Sequence, residues 1–184
     1  MALHRADIDP FAITIGAGRE VLWVYANFLD RVPIVGALLR RYGFIAAAYR
    51  ELTGIREVRE MVSVLRNGQA LGIFPEGAIP LLYPDEVRRF SFSPSFARLA
   101  RITRSPIVPV RVRPKRWTVA KYPIPVVLRR MMRLPESVAG ITRRRRYYDI
   151  EVRFAPPIMP RPGEPYHHLA ARVEATLRVL EENR

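Results

Sequence analysis

Short apolar runs alternate with amphipathic segments along the chain, and this alternation predicts strands and helices in turn. The predicted strands share a length of five or six residues and a high content of apolar residues; they are 21–26, 44–49, 70–74, 107–112 and 149–154. The last of them alternates apolar and polar residues, as a half-buried strand does. Residues 115–148 show no such pattern and are expected to be irregular and basic.

Helical periodicity separates these runs. In the segment 56–67, Val58, Val62 and Leu65 share one face, and Gly68 follows as a helix-ending residue. The other predicted helical segments are 27–31, 34–42, 95–104 and 167–182. Pro33 separates the first two of these, and Gly43 closes the segment 34–42. The alternation favours an α/β fold, a sandwich with a mixed, largely parallel sheet flanked by helices. A chain of 184 residues without an evident linker is expected to form a single domain over residues 1–184.

Composition excludes several classes of protein. The chain has no cysteine, which excludes disulfides, thiolate metal sites and a cysteine nucleophile. No stretch of about 18 apolar residues is free of charges, so no transmembrane helix is expected. The first ten residues, MALHRADIDP, have no apolar core of the signal-peptide type.

The net charge of +14 is the strongest compositional signal, and nearly all of it comes from arginine. Such a surface favours a polyanionic partner, for example nucleic acid, anionic lipid headgroups or a phosphate-bearing molecule. Residues 116–134 mix aromatic and aliphatic residues with arginine, which is typical of a segment at an anionic membrane interface and equally of core strand and helix. The run Arg143–Arg146 with two tyrosines fits either a nucleic-acid patch or a solvated basic loop.

One predicted strand ends in a motif that carries candidate chemistry. The run 70–74 stops at Pro75, which cannot donate to a sheet ladder, and Glu76 and Gly77 follow. In α/β proteins ligands bind at the carboxyl ends of the strands. Glu76 is therefore either a site residue at this edge or a solvated carboxylate in a turn.

A second candidate pair lies near the beginning of the sequence. Asp9-Pro10 is a helix-start signal, with Asp9 as the N-cap and proline in the first turn. His4 is then expected on the turn before this helix, where a carboxylate can orient its imidazole. Asp9 and Asp7 are the two carboxylates available for that role.

Four stretches together resemble, in the right order, the motifs of the phospholipid/glycerol acyltransferase family, which includes the lysophosphatidate acyltransferases. HRADID, from His4 to Asp9, is similar to the family's His-x4-Asp motif. The other three are YGFIAAAYR ending at Arg50, the Phe74-Pro75-Glu76-Gly77 stretch, which matches the first half of FPEGTRS, and SPIVPV around Pro109. The resemblance covers essentially the whole chain.

The resemblance implies a reaction and roles for these residues. The family transfers a fatty acyl group from acyl-CoA or acyl carrier protein to a lipid hydroxyl, with no metal or resident cofactor. His4 would be the general base, and Asp9 would hold its tautomer and stabilise the imidazolium. Glu76 and Gly77, with Phe74, Pro75 and Pro109, would shape the substrate site, and Arg50 would pair with an acceptor phosphate. The expected location is cytoplasmic and peripheral, on the inner face of an anionic membrane, with no nucleic-acid partner.

The sequence departs from the family pattern at two places that matter. Ala78-Ile79-Pro80 replaces the usual Thr-Arg-Ser, which favours an acceptor less anionic than a phosphate monoester. Only three residues precede His4, where the family has a further segment and a strand, so the chain is expected to lack that segment. An acyltransferase-like protein that binds lipid or acyl-CoA without catalysis is the main alternative function, and a basic nucleic-acid-binding domain is a third.

Overall fold

A computed structural model describes residues 9–31, 33–47, 54–75, 92–121 and 143–182. Within them the chain forms helices and strands in alternation, which confirms the predicted α/β class. In chain order the elements are α1 (Asp9–Ala17), β1 (Val21–Ala26), a 3₁₀ helix (Asn27–Arg31), α2 (Pro33–Arg41), β2 (Ile45–Ala47), α3 (Ile55–Arg66), β3 (Ala70–Gly72), α4 (Ser95–Thr103), β4 (Val110–Lys121), β5 (Arg143–Phe154) and α5 (Tyr166–Glu182).

The first three strands form a parallel sheet in the order β2-β1-β3. Val24 of β1 is opposite Ile45 of β2, and Val21 is opposite Ala70 of β3. Parallel neighbours need a crossover connection, and here α2 joins β1 to β2 while α3 joins β2 to β3. The largely parallel sheet expected from the sequence is therefore present; β2 begins one residue later than predicted, and β3 ends at Gly72 instead of residue 74.

Successive residues of β1 face opposite sides of this sheet, and each side packs on a different helix. Trp23 is buried with Ile13 of α1 and with Val110 and Val112 of β4. On the other side Val24 packs against a cluster that contains Met61 of α3 and Leu99 of α4. The sheet thus lies between α1 on one face and α3 on the other.

The helix α2 begins and ends where the sequence indicates, with one change. Pro33 does not separate two helical segments but opens α2 itself, a position where its missing N–H is no loss. At the other end Gly43 has φ +75°, and the amides of Gly43 and Phe44 donate to the carbonyls of Arg40 and Leu39. This is the Schellman arrangement, which satisfies the last carbonyls of the helix.

The prediction that residues 115–148 are irregular is wrong at both ends of that range. Residues 110–121 form β4 and residues 143–154 form β5, and the two pair as a long antiparallel ribbon from Val110↔Phe154 to Lys121↔Arg143. Pro114 lies inside β4, where the register shifts between Pro114 and Trp117 accommodate it as a bulge. The predicted strand at 107–112 also begins later than expected, since Ile107 forms only an isolated bridge to Ile158.

The last helix closes the core on the α4 side. Leu169, Val173 and Leu177 recur every four residues along α5, and all three are buried against Phe96 of α4. The predicted helix at 167–182 is confirmed and begins one residue earlier, at Tyr166.

A carboxylate–guanidinium pair fixes α5 to the segment that precedes it. Both oxygens of Glu164 accept from Arg172 Nη1, at 2.7 and 2.9 Å, and Oε2 also accepts from the Arg161 amide at 3.0 Å. These bonds, chiefly those from the Arg172 side chain, lower the pKa of Glu164 from its usual 4.5. The Glu164 side chain is only 8% exposed, whereas Arg172 is 32% exposed, so the carboxylate is the shielded member of the pair.

This pair predicts a pH dependence of stability. A carboxyl with a lowered folded-state pKa stabilises the protein above its unfolded-state pKa, and this contribution is lost as the pH falls through the folded value. Glu164→Gln is therefore expected to destabilise the protein more at pH 7 than at pH 3, as measured by urea unfolding. Glu174→Gln, which removes a more exposed pair with Arg178, serves as the control. A pH-independent difference for Glu164→Gln would contradict the assignment.

Candidate active site

The carboxyl edge of the parallel sheet brings two of the sequence-predicted stretches to the same side of the molecule. Phe74 and Pro75 follow β3 directly. A short turn joins the end of α1 to the start of β1, and Thr14 of α1 contacts Trp23 of β1. From this short connection we infer that α1 and β1 run in roughly opposite directions, which directs the beginning of α1, where Asp9 lies, toward the carboxyl end of β1.

Trp23 connects the two stretches physically. Its Nε1–H donates to Thr14 Oγ1 at 3.0 Å, and the Thr14 hydroxyl donates to the Pro10 carbonyl at 2.8 Å. The Phe74 ring stacks on the Trp23 ring with centroids 4.9 Å apart and an interplanar angle of 19°. The start of α1 and the residue that begins the Phe-Pro-Glu-Gly stretch are therefore held by one buried indole.

Asp9 is fully buried at the first position of α1. In the part of the chain that the structure describes, Asp9 and Arg111 are the buried charged side chains. Arg111 has a structural role, since its Nη1 donates to the Leu180 carbonyl at the end of α5. A carboxylate is rarely fully buried unless it is paired. Asp9 is suited to accept a hydrogen bond from a neighbouring donor and hold it in one orientation.

Pro75 and Pro109 are buried at main-chain junctions. The Pro75 carbonyl accepts from the Ser93 amide at 3.3 Å, and the Pro109 carbonyl accepts from the Ala155 amide at 2.9 Å. Pro109 precedes β4, and its neighbours Val108 and Val110 belong to the same apolar cluster as Phe74 and Trp23. The structure thus brings the third and fourth motif stretches together with α1.

Four of the predicted site residues, His4, Arg50, Glu76 and Gly77, lie outside the described residues, as does Asp7. Their roles stay predictions from the sequence. Among the described residues, the sequence analysis missed Trp23 and Thr14. A signal for Trp23 was present, because Gly72 interrupts an apolar strand and a glycine there indicates close approach of another group. Gly72 is the cross-strand partner of Trp23.

A cavity of about 70 Å³ lies on the α3 side of the sheet, among residues of α3, α4 and the 105–108 segment. Leu71 and Ile73 line it, whereas Phe74 belongs to the cluster on the α1 side. Val108 lines the cavity and also belongs to that cluster, so the cavity adjoins the apolar core on the α1 side.

Comparison with known proteins decides the family. The sequence model of the family described as Acyltransferase matches residues 1–113, which is more than half of the 184 residues. The chain belongs to this acyltransferase family. The matched range contains all four motif stretches, from His4 to Val110. A search of curated proteins and a search of solved structures each gave no match.

Membership in the phospholipid/glycerol acyltransferase family supports acyl transfer to an oxygen as the kind of reaction that the site performs. In this acyltransferase, Trp23 joins α1, which begins at Asp9, to Phe74 of the third motif stretch. No helix among the described residues is both long enough and apolar enough to cross a membrane.

The bond between Trp23 and Thr14 makes a stability prediction. Thr14→Val keeps the side-chain shape but leaves the buried indole N–H without its acceptor, so it is expected to lower the free energy of unfolding by about 1 kcal/mol beyond any intrahelical effect. Thr176→Val is the matched control, because Thr176 makes the same bond to the carbonyl four residues earlier, Arg172, and its hydroxyl accepts no bond from an indole. Urea unfolding of both variants measures the difference. Equal destabilisation would contradict a role for the indole bond.

Proposed function

We propose that the protein transfers a fatty acyl group from an acyl thioester, acyl-CoA or acyl carrier protein, to a lipid hydroxyl, with His4 as the general base and Asp9 as its partner. The observation that carries the proposal is the complete burial of Asp9 at the start of α1, on a helix that Trp23 joins to Phe74. A rigidly held carboxylate at this edge of the sheet suits the partner of a catalytic imidazole.

The proposed chemistry needs no nucleophile from the protein. The acceptor oxygen attacks the thioester carbonyl carbon while His4 removes the hydroxyl proton. An oxygen–carbon bond forms, the carbon–sulfur bond breaks, and the imidazolium returns the proton to the departing thiolate. Asp9 keeps the basic nitrogen directed at the acceptor and stabilises the imidazolium, as the carboxylate of a catalytic triad does.

The acceptor is proposed to be less anionic than a phosphate monoester. By resemblance to the family, an arginine is expected at the position of Ile79, where it would help to bind the acceptor phosphate. Ile79 offers neither charge nor hydrogen bond, so Arg50 alone would remain for that purpose. A neutral or weakly anionic lipid hydroxyl is consistent with this loss.

The protein is further proposed to work at the cytoplasmic face of an anionic membrane. Its net charge of +14 attracts anionic headgroups, and its lipid acceptor is found in the membrane. Glu76 and Gly77 are proposed to shape the acceptor site, together with Phe74, Pro75 and Pro109.

The test of the function is acyl transfer from radiolabelled acyl-CoA or acyl carrier protein to lysophosphatidate and to neutral hydroxyl lipids, side by side. Product is expected with a neutral acceptor in preference to lysophosphatidate. Ile79→Arg is expected to shift the ratio of kcat/KM toward lysophosphatidate by about tenfold, since it adds a charge-assisted hydrogen bond. Ile79→Gln, of similar length but uncharged, is the control. Saturable binding of acyl-CoA without product from any acceptor would instead support the non-catalytic alternative.

A further inference from the structure

The outward face of α2 is apolar. Ile34 is 76% exposed, Leu38 is 47% exposed and Tyr42, directly after the helix, is 69% exposed. The spacing of four residues places these three side chains in one stripe, and Val35, 38% exposed, lies beside it. We call these four residues the α2 stripe. A surface helix normally turns such residues toward the core.

The contacts on the opposite side of α2 fix this orientation. Gly36 packs so closely on Asp30 that an added Cβ would lie 2.8 Å from its Cα. Arg40 Nη1 and the Tyr25 hydroxyl both donate to Asp30 Oδ1, at 2.5 Å each. Burial and the bond to Asp30 raise the pKa of Tyr25 to about 12, so this hydroxyl keeps its proton at neutral pH. Because Gly36 packs on the Asp30 backbone and Arg40 bonds to its carboxylate, α2 is held with its apolar face to solvent.

Charge around the α2 stripe indicates what covers it. The chain as a whole carries a net charge of +14. Arg41 lies on the exposed side of the helix, next to Ile34 and Leu38 in the helical projection. An apolar stripe bordered by arginine complements an anionic lipid surface, where aliphatic and tyrosine side chains enter the boundary between headgroups and acyl chains. A second copy of this chain would present the same positive charge and be repelled.

We propose that the α2 stripe docks the protein on an anionic lipid membrane, with Ile34, Leu38 and Tyr42 inserted and Arg41 among the headgroups. The stripe begins at Ile34, in the first turn of the helix that follows β1 and the 3₁₀ helix, and runs from there along α2 to Tyr42. The inference rests on the proposed function in one respect, because that function gives the protein a reason to approach a lipid surface. Its test does not depend on catalysis.

The test is sedimentation of the protein with vesicles of phosphatidylglycerol and phosphatidylcholine in equal amounts, compared with pure phosphatidylcholine. The Ile34→Ser/Leu38→Ser variant is expected to bind the anionic vesicles about tenfold more weakly than the parent. Ile55→Ser/Ile102→Ser is the matched control, since Ile55 is 73% and Ile102 is 58% exposed on α3 and α4. The control is expected to bind as the parent does. Equal weakening of both variants would overturn the proposal.

A second measurement covers the case in which the serine variant misfolds. The chain has no cysteine, so Leu38→Cys and Ile102→Cys can each be labelled at one position with an environment-sensitive fluorophore. Only the label at position 38 is expected to shift to the blue on anionic vesicles, and an unshifted label there would overturn the proposal. A dimer in light scattering that the serine variant converts to a monomer would assign the stripe to a second copy instead. Vesicle binding by His4→Ala equal to that of the parent would separate docking from acyl transfer.

Discussion

Asp9→Asn is expected to lower kcat/KM for acyl transfer by about 10²- to 10⁴-fold, the range that a positioned general base contributes. Asparagine has the size of aspartate but no charge, so it neither stabilises an imidazolium nor selects the same tautomer of His4. Asp9 is fully buried at the start of α1, so the fold must be checked as well. Circular dichroism and a urea midpoint close to those of the parent would show that the loss is chemical.

The partnership of Asp9 with His4 is tested by combining the two substitutions. His4→Ala is expected to lower kcat/KM by a similar factor. The double variant is expected to be no less active than His4→Ala alone. Residues that act as one catalytic unit show this strong non-additivity. Fully additive effects, or unchanged turnover in Asp9→Asn, would refute the proposed roles.

Gly72→Ala is expected to lower the free energy of unfolding by about 3 kcal/mol, the upper end of the usual effect of overpacking a core. A Cβ at this position would lie 2.4 Å from Cε3 and 2.5 Å from Cδ2 of the Trp23 ring. The ring has little room to move away, because Phe74 stacks on it and its Nε1–H is bonded to Thr14. Acyl transfer is expected to fall as well, since the indole joins α1 to Phe74.

Gly16→Ala is the matched control for this variant. Gly16 lies within α1, and its added Cβ would meet Phe154 at 3.4 Å, an ordinary contact. Alanine in a helix is favoured over glycine by roughly 0.5–1 kcal/mol, so this variant is expected to be as stable as the parent or more so. Urea unfolding of both variants measures the contrast. A Gly72→Ala protein as stable as the parent would show that the Trp23 ring is not confined.

The parallel half of the fold was predictable because its signals are local. The run VLWVYA gives β1 its observed bounds, and glycines mark the ends of α2 and α3. The β4–β5 ribbon was not predictable in the same way. Pro114 interrupts β4, β5 opens with the four arginines Arg143–Arg146 and no apolar residue among them, and the pairing joins residues more than 20 positions apart.

The candidate site shows the same difference between features that local sequence indicates and features that depend on tertiary packing. Motif order along the chain indicated Asp9, Phe74, Pro75 and Pro109, but spacing alone does not report burial or packing. The burial of Asp9 depends on how α1 packs on the sheet, which is a tertiary effect. The role of Trp23 depends on a cross-strand glycine and a threonine from another element. The expected positions of His4, Arg50, Glu76 and Gly77 come from the motifs alone.

The bond between the Ser93 amide and the Pro75 carbonyl constrains the path of the chain between these two residues. It joins the two ends of the stretch that contains Glu76 to Ile79, and it uses main-chain atoms only. Substitutions within that stretch leave both the donor and the acceptor of this bond in place. The bond therefore fixes where the chain leaves the end of β3 and where it returns before α4, whichever side chains the stretch between them carries.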